Sequence, residues 1–453
     1  MADVTNLDAL NAVTTPPETQ PLGISGEWSD DLFRPKGLLG DINQWMINSS
    51  GMYQPKFALA ASLTAGGSLL SRIVKDNEGQ RTNIFTLTVG MTSAGKNDPI
   101  RLIRELLNSL GREKLLTGEP TSDSAVEILL EDFPARIMLL DEVGHYFANV
   151  KSAGHSNGHL HTVLPMLTKV WSAASGALQG KGRGLNSNGK WKPPVTIRKP
   201  CICFYGTTVP KVLFKSMCLE DFEDGSIPRF LTFISENRPE RQSKPEISVP
   251  EKLKTNLRNA LHQLGANEAV YQFGKDNAGE KPEWNPARAV PESPEASAIF
   301  EAFEKEKTML MTAADNGDVP LYLIGKGVEN SKRIALIVAS FINPANPIVD
   351  GYAADYAVRL VKTSVADMVK YVRQNVASSR RERDAQLIER IIRRAGANGI
   401  TQSEITRATR SMRRGDRDDI LCDLEEAGII SNSQVNGIGL KKVSVFRYLG
   451  KDK

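Results

Sequence analysis

The chain has 453 residues, a formal net charge of +4, 40% apolar residues and 24% charged residues. That composition suits a globular chain able to bury a large core, and it excludes collagen-like and wholly disordered readings. Four cysteines with no CxxC pair among them exclude a disulfide framework and a cysteine-based zinc site.

At roughly 150 residues per domain the length suggests about three domains. The start, MADVTNLDAL, is acidic and lacks the basic-then-apolar order of a secretory signal, so a reducing cytoplasm is the expected location. Charge is unevenly spread. Residues 1–33 carry six acids and no Lys or Arg, whereas residues 380–417 carry eleven arginines against five acids. Such a basic cluster suits a polyanion partner, the alternative being a solvated helix face.

Residues 1–35 read as a flexible tail with Pro16, Pro17 and Pro21, and residues 36–80 as an N-terminal helical region. The most apolar stretch, Phe57 to Val74, is broken by Ser, Thr and Gly-Gly and falls short of a membrane span, so no membrane partner is expected. Residues 81–250 change to an α/β pattern. Apolar runs at Ile84–Val89, Arg136–Leu140, Cys201–Tyr205 and Phe230–Ile234 predict strands, and Ile100, Ile103, Leu107 and Leu110 share one helical face. Strands of this kind between helices predict a mainly parallel sheet covered on both faces. Residues 251–295 read as a connecting segment with a helix near 251–264. Residues 296–378 read as a helical lid with long helices, and residues 379–453 as a separate small domain.

The first strand runs into Gly90-Met91-Thr92-Ser93-Ala94-Gly95-Lys96-Asn97, a G-x-x-x-x-G-K pattern. Gly90 and Gly95 let main-chain N–H groups wrap a phosphate, the following helix adds its positive end, and Lys96 reaches the outer phosphates. Asn97 stands where Ser or Thr usually ligates Mg²⁺, and its amide oxygen is an imperfect substitute; reduced or lost hydrolysis stays open. Asp98 places a further carboxylate nearby. Asp141 and Glu142 follow a buried strand; Asp141 would hold the metal through water and Glu142 would orient or deprotonate the attacking water. Thr207 and Thr208 end the next strand and offer a hydroxyl to the water or the γ-phosphate. The spacing leaves room for an added strand between the loop strand and the acidic strand, the order of the P-loop ATPase class with an additional strand and a catalytic glutamate. Arg229 opens another strand, where it reaches a neighbouring subunit's phosphate or forms a structural ion pair. Arg333 is a candidate nucleotide contact from the helical lid.

A basic, Gly-rich stretch between the acidic pair and the third strand holds Lys181, Arg183, Lys190, Trp191 and Lys192. As a hairpin loop it would pair with phosphates and stack a base, DNA being the expected partner and single strands favoured. His155, His159 and His161 lack an accompanying carboxylate or cysteine, which disfavours a metal site. The C-terminal region reads as a winged helix. Arg383–Arg394 supports a first helix, Thr401–Glu404 has capping-box spacing, residues 415–427 form another helix, and Val443–Phe446 is a wing strand. Arg410, Arg413, Arg414 and Arg417 approach that helix, and Lys441, Lys442 and Arg447 mark the wing. The helix itself carries Asp416, Asp418, Asp419, Asp423, Glu425 and Glu426, so DNA binding and subunit contact both stay open.

The segments TLTVGMTSAGKNDP, GEPTSDSAVEILLEDFPARIMLLDEVGHYF, LPMLTKVWSAASGALQGKGRG, PCICFYGTTVPKVLF, EDGSIPRFLTF and SKRIALIVASF occur in this order. Together, over roughly residues 40–380, they resemble a family of phage and prophage helicase-like ATPases found beside primase modules. The resemblance implies an AAA+-like ring ATPase of phage DNA replication in a bacterial host, using ATP and Mg²⁺, with a primase or other replication proteins as partners. It implies Lys96 on phosphate, Asp141 on metal, Glu142 on water, Thr207 or Thr208 at a polar strand end, and Arg229 between subunits. An arginine supplied from a neighbour makes a homohexamer the expected assembly. The leading expectation is therefore an ATP-driven DNA motor. The alternatives are a nucleotide-switched initiator or helicase loader with little hydrolysis, and a protein-remodelling ATPase.

Overall fold

The computed structural model describes residues 24–146, 162–181, 194–217, 222–223, 225–242, 247–273, 282–375, 380–410, 412–436 and 442–449. Two helices come first, α1 (Leu38–Ser49) and α2 (Pro55–Leu69). Strand β1 (Phe85–Gly90) leads through the glycine loop into α3 (Asp98–Ser109). A short strand β2 (Leu116–Thr117), helix α4 (Asp123–Asp132) and strand β3 (Ala135–Leu140) follow. Then come α5 (Val163–Ala173), the strands β4 (Ala177–Gln179) and β5 (Thr196–Arg198), β6 (Cys201–Thr208), α6 (Pro210–Ser216) and β7 (Phe230–Ser235).

The five strands β2-β3-β6-β1-β7 form one parallel sheet in that order. Strands β1, β3, β6 and β7 are buried along their whole length, as β-branched and aromatic runs are when both faces of a sheet are covered. The strand ending in Thr207 and Thr208 lies between the loop strand and the acidic strand, where the spacing leaves room for an added strand. Val89 pairs with Thr208 and Leu140 with Gly206, which brings the carboxyl ends of β1, β3 and β6 to one edge. The apolar stretch that starts at Phe57 is α2, lying against β1, β3, β6 and β7. A helix that is apolar all round belongs in a core, and this one is buried almost throughout. No described helix is long and apolar enough to cross a membrane.

The rest of the main body is α7 (Glu251–Gln263), α8 (Pro294–Asp315), α9 (Gly327–Ile342) and α10 (Gly351–Asn375). Two expectations change here. Residues 24–35 are not part of a loose tail. Leu32 is 1% exposed, the Tyr356 hydroxyl donates to the Leu32 carbonyl (2.8 Å), and Trp28 Nε1 donates to Asp367 Oδ2 (2.6 Å). Trp28, Leu32 and Phe33 supply apolar area that outweighs the acidic surroundings. The helices of residues 296–378 are not a detached lid either. Helix α9 packs on α1 and α2, α10 packs on β7, and all share one hydrophobic core with the sheet.

Residues 380–449 form a second unit with α11 (Arg380–Arg394), β8 (Ile400–Thr401), α12 (Gln402–Ala408), α13 (Arg414–Glu426), β9 (Ile430–Asn436) and β10 (Lys442–Tyr448). Its antiparallel strands lie in the order β8-β10-β9, and its core is its own, built on Ile388, Ile392, Ile405, Ile420, Leu424 and Phe446. The expected capping box is present: Thr401 and Glu404 hold each other's main-chain N–H groups.

Candidate functional site

The loop between β1 and α3 has the geometry of an anion cradle. Ser93 and Gly95 both have positive φ (64° and 80°), which turns successive main-chain N–H groups toward a common side. Among the described residues, the amides of Ser93, Gly95, Lys96 and Asn97 donate to no main-chain carbonyl. Both glycines are sterically required. A methyl on Gly90 would come within 2.6 Å of Phe57, and one on Gly95 within 2.8 Å of Met52. Helix α3 starts at the loop with Pro99 in its first turn, so its positive end faces the same place.

Lys96 is only 7% exposed. Its ammonium donates to the Gly90 carbonyl (3.2 Å) and lies 3.6 Å from Glu142 Oε1. Thus the lysine and the glutamate, 46 positions apart in sequence, meet as a pair at the loop. Glu142 has φ 50°, a left-handed conformation unusual for a glutamate and of the kind that functional sites retain. Asp141 Oδ1 accepts from the Thr207 hydroxyl (2.6 Å) and from the Glu142 N–H (2.9 Å). Lys96, Asp141, Glu142 and Thr207 therefore converge on one edge of the sheet, where open parallel sheets bind ligands. Asn97 is exposed, makes no side-chain cap, and shares with Asp141 a cleft of about 440 Å³ also lined by Arg101, Arg104 and Glu119.

Two assignments read from the sequence, Thr208 and Arg333, are corrected. Thr208 does not face the cleft: its oxygen accepts the Gly144 N–H (3.2 Å) and holds the turn after Glu142. Asp98 does stand beside the loop, its Oδ2 3.9 Å from where a Gly95 methyl would lie, and it accepts from the Gly51 N–H (2.7 Å) and from Arg101 (3.2 Å). Arg333 is no nucleotide contact. It is 4% exposed, donates to the carbonyls of Asn83 (2.6 Å) and Trp171 (3.2 Å), and lies 3.5 Å from the centre of the Trp171 ring. Asn83 precedes β1, so Arg333 sits at the end of that strand opposite the loop. Burial lowers its pKa to about 10, which leaves the cation charged at neutral pH. Lys181, the DNA candidate at the foot of the basic stretch, is exposed and pairs with Asp123, and its main-chain N–H donates to Glu127 (3.1 and 3.3 Å).

Arg229 precedes β7, whose Phe230 pairs with Phe85 at the start of β1. It therefore lies at the amino end of the sheet, away from its own phosphate loop. It donates to the Gly225 carbonyl and to Ser172 Oγ (3.4 Å) and lies 5.1 Å from the Trp171 ring centre. Trp171, unmarked in the sequence reading, thus touches both Arg229 and Arg333. A ring–guanidinium contact across such sequence separation leaves no local signal.

Strands β4 and β5 pair antiparallel, so the basic stretch is flanked by a hairpin stem as expected. Arg183, Lys190, Trp191 and Lys192 lie outside the described residues, as do His155, His159, His161 and Lys441. Among the described residues no cluster of His, Cys, Asp and Glu could hold a metal ion by itself. In the C-terminal unit Arg413 precedes α13 and is exposed, and Arg414 is 3.5 Å from Asp418. Arg417 is corrected to a structural role: it is buried and donates to Thr409 and to the Met412 carbonyl. Lys442 begins β10. Helix α13 exposes Asp416, Asp419, Asp423, Glu425 and Glu426. Compared with known proteins, the chain matches no family model, and no curated protein matches it either.

Proposed function

We propose that the protein is an ATP-driven motor on DNA: an AAA+-like P-loop ATPase of the additional-strand, catalytic-glutamate class, working as a homohexameric ring and ending in a winged-helix domain. The observation that carries this reading is the meeting of Lys96, Asp141, Glu142 and Thr207 at the carboxyl edge of a parallel sheet whose threonine-bearing strand lies between the other two.

The triphosphate lies on the loop amides, and Lys96 leaves Gly90 and Glu142 for the outer phosphates. That releases Glu142 to orient the attacking water and take its proton. Thr207 fixes the Asp141 carboxylate. Magnesium fits the donors here, because Asn97 and Asp141 offer oxygen atoms on one cleft and this cation keeps several waters. Bound there, it would neutralise charge on the outer phosphates. Arg229, out of reach of its own loop, serves the site of the next subunit, and a closed ring supplies one such arginine at every interface. The basic stretch beyond the β4–β5 stem follows a nucleic-acid strand through phosphate contacts and stacking on Trp191.

A second reading is a nucleotide-switched initiator or loader with little hydrolysis. Asn97 favours it, since it offers no hydroxyl to the metal, and so does the engagement of Glu142 by Lys96. The acidic exposed face of α13 favours protein contact by the C-terminal unit, as a remodelling ATPase would need.

ATP turnover of the full chain with and without single-stranded DNA separates these readings. A motor shows DNA-stimulated turnover that falls by about 10²–10³-fold in Lys96→Ala, the loss expected for one preorganised charge donor. ATP binding without turnover selects the switch, and turnover indifferent to DNA selects the remodeller. Absence of ATP binding by the wild-type chain removes all three.

A further inference from the structure

The phosphate loop has a neighbour that its motif does not include. The Gly51 N–H donates to Asp98 Oδ2 (2.7 Å), at the start of α3. Met52 lies so close to Gly95 that a methyl there would meet it at 2.8 Å. The same segment is clasped from behind: Met52 bridges to Arg241, and the Gln242 N–H donates to the Gly51 carbonyl (2.8 Å). The next residue, Tyr53, is 54% exposed, although a ring of that size is a large apolar area to leave in water.

Tyr53 lines a pocket of about 220 Å³ together with Phe33, Gln44, Ile47, Asn48 and Gln242. Apolar and carboxamide surfaces meet there, with Asp30 and Arg34 adding one charge of each sign. Phe33, Ile47 and the Tyr53 ring offer flat and apolar contacts. Three carboxamides offer paired donors and acceptors, and Gln44 Nε2 already donates to Asn48 Oδ1 (2.9 Å), which orders two of them. A planar heterocycle with ring nitrogens and an exocyclic group needs this combination: an aromatic face to stack on and amides to read its edge. A lipid tail would leave the amides and both charges unpaired, and a simple anion on Arg34 would face the Asp30 carboxylate and leave the ring idle.

We propose that this pocket takes the purine base of the nucleotide whose phosphates rest on the 90–97 loop, with Tyr53 as the stacking residue. The inference rests on the nucleotide reading given above and adds the part of the ligand that decides specificity. It makes Gly51–Tyr53 a bridge joining base and phosphate sites, because the strap touching Gly95 and Asp98 also carries the ring.

The test is equilibrium binding of ATP and of inorganic tripolyphosphate to the full chain, as wild type, Tyr53→Ala and Tyr53→Phe, with thermal melts to confirm folding. The expected result is that Tyr53→Ala weakens ATP between about fivefold and a hundredfold, the worth of one base–aromatic stack. Tripolyphosphate affinity stays unchanged, and Tyr53→Phe binds ATP as the wild type does. Equal binding of ATP and tripolyphosphate by the wild type overturns the proposal. So does an alanine variant that loses both ligands alike or neither. If the wild type binds no ATP, the nucleotide reading fails, which is a separate outcome from failure of the base pocket.

Discussion

The two ends of the parallel sheet use the same residue types for opposite purposes. At the carboxyl end, charged groups meet at an open edge. Lys96 pairs loosely with a half-exposed Glu142, Glu142 sits in a left-handed conformation, and the amides of Ser93, Gly95, Lys96 and Asn97 have no main-chain acceptor among the described residues. At the amino end, charge is spent on packing. Arg333 donates from both terminal nitrogens to the Asn83 and Trp171 carbonyls and covers the Trp171 ring, while Arg229 leans on the same ring from a more exposed position. The lesson is that a basic residue's chemistry depends on whether its partners are internal carbonyls or an open edge. Arg229 stands between the two cases, anchored from within and still accessible.

Three measurements would break or sharpen this contrast. The largest effect is expected for Arg229→Ala. If it serves a neighbouring subunit, turnover falls by about 10³-fold or more, while ATP affinity and melting temperature stay near wild type. Mixing this variant with Lys96→Ala chains should recover part of the turnover, because some interfaces then pair an intact loop with an intact arginine. Loss of stability with no effect on turnover would assign Arg229 to packing alone.

Next comes Arg333→Leu. Removing the guanidinium orphans the Asn83 carbonyl, while the Trp171 carbonyl keeps the Asn83 Nδ2 donor (3.1 Å), so unfolding in denaturant should become easier by about 1–3 kcal/mol. Nucleotide affinity should not change once folded protein is compared with folded protein. A stable variant with weakened ATP binding would return Arg333 to the nucleotide site and erase the contrast. The smallest effect is expected for Thr208→Val, an isosteric change that leaves the Gly144 N–H without its acceptor. It should cost about 1–2 kcal/mol in a melt or denaturant titration, and Thr208→Ser should restore most of it. An unchanged stability with abolished turnover would put Thr208 back among the groups that touch the reacting atoms.

Much of this fold is legible in the chain itself. Ile84–Val89, Arg136–Leu140, Cys201–Tyr205 and Phe230–Ile234 are strands because apolar, β-rich runs of that length suit a sheet buried on both faces. Gly90, Gly95 and Lys96 are legible because the cradle needs left-handed backbone and close approach at fixed spacing. Other residues were misread for a common reason. Thr208, Arg333 and Arg417 have suitable side chains at suggestive positions, yet each is captured by a partner far away or on another element. Residues 24–35 were misjudged because composition weighs their acids and misses where Trp28 and Leu32 land.

The amino-acid order by itself determined the local pieces: strands, helix starts, the glycine loop and the acidic pair, all of which depend on neighbours within a few positions. Only the tertiary structure decided the order β2-β3-β6-β1-β7, the pairing of Lys96 with Glu142, the burial of Arg333 on Trp171, and the placing of Met52 against Gly95. Those contacts join residues far apart in the chain. Their energies come from burial and from satisfying polar groups, and such terms are set by which surfaces meet rather than by local backbone preference.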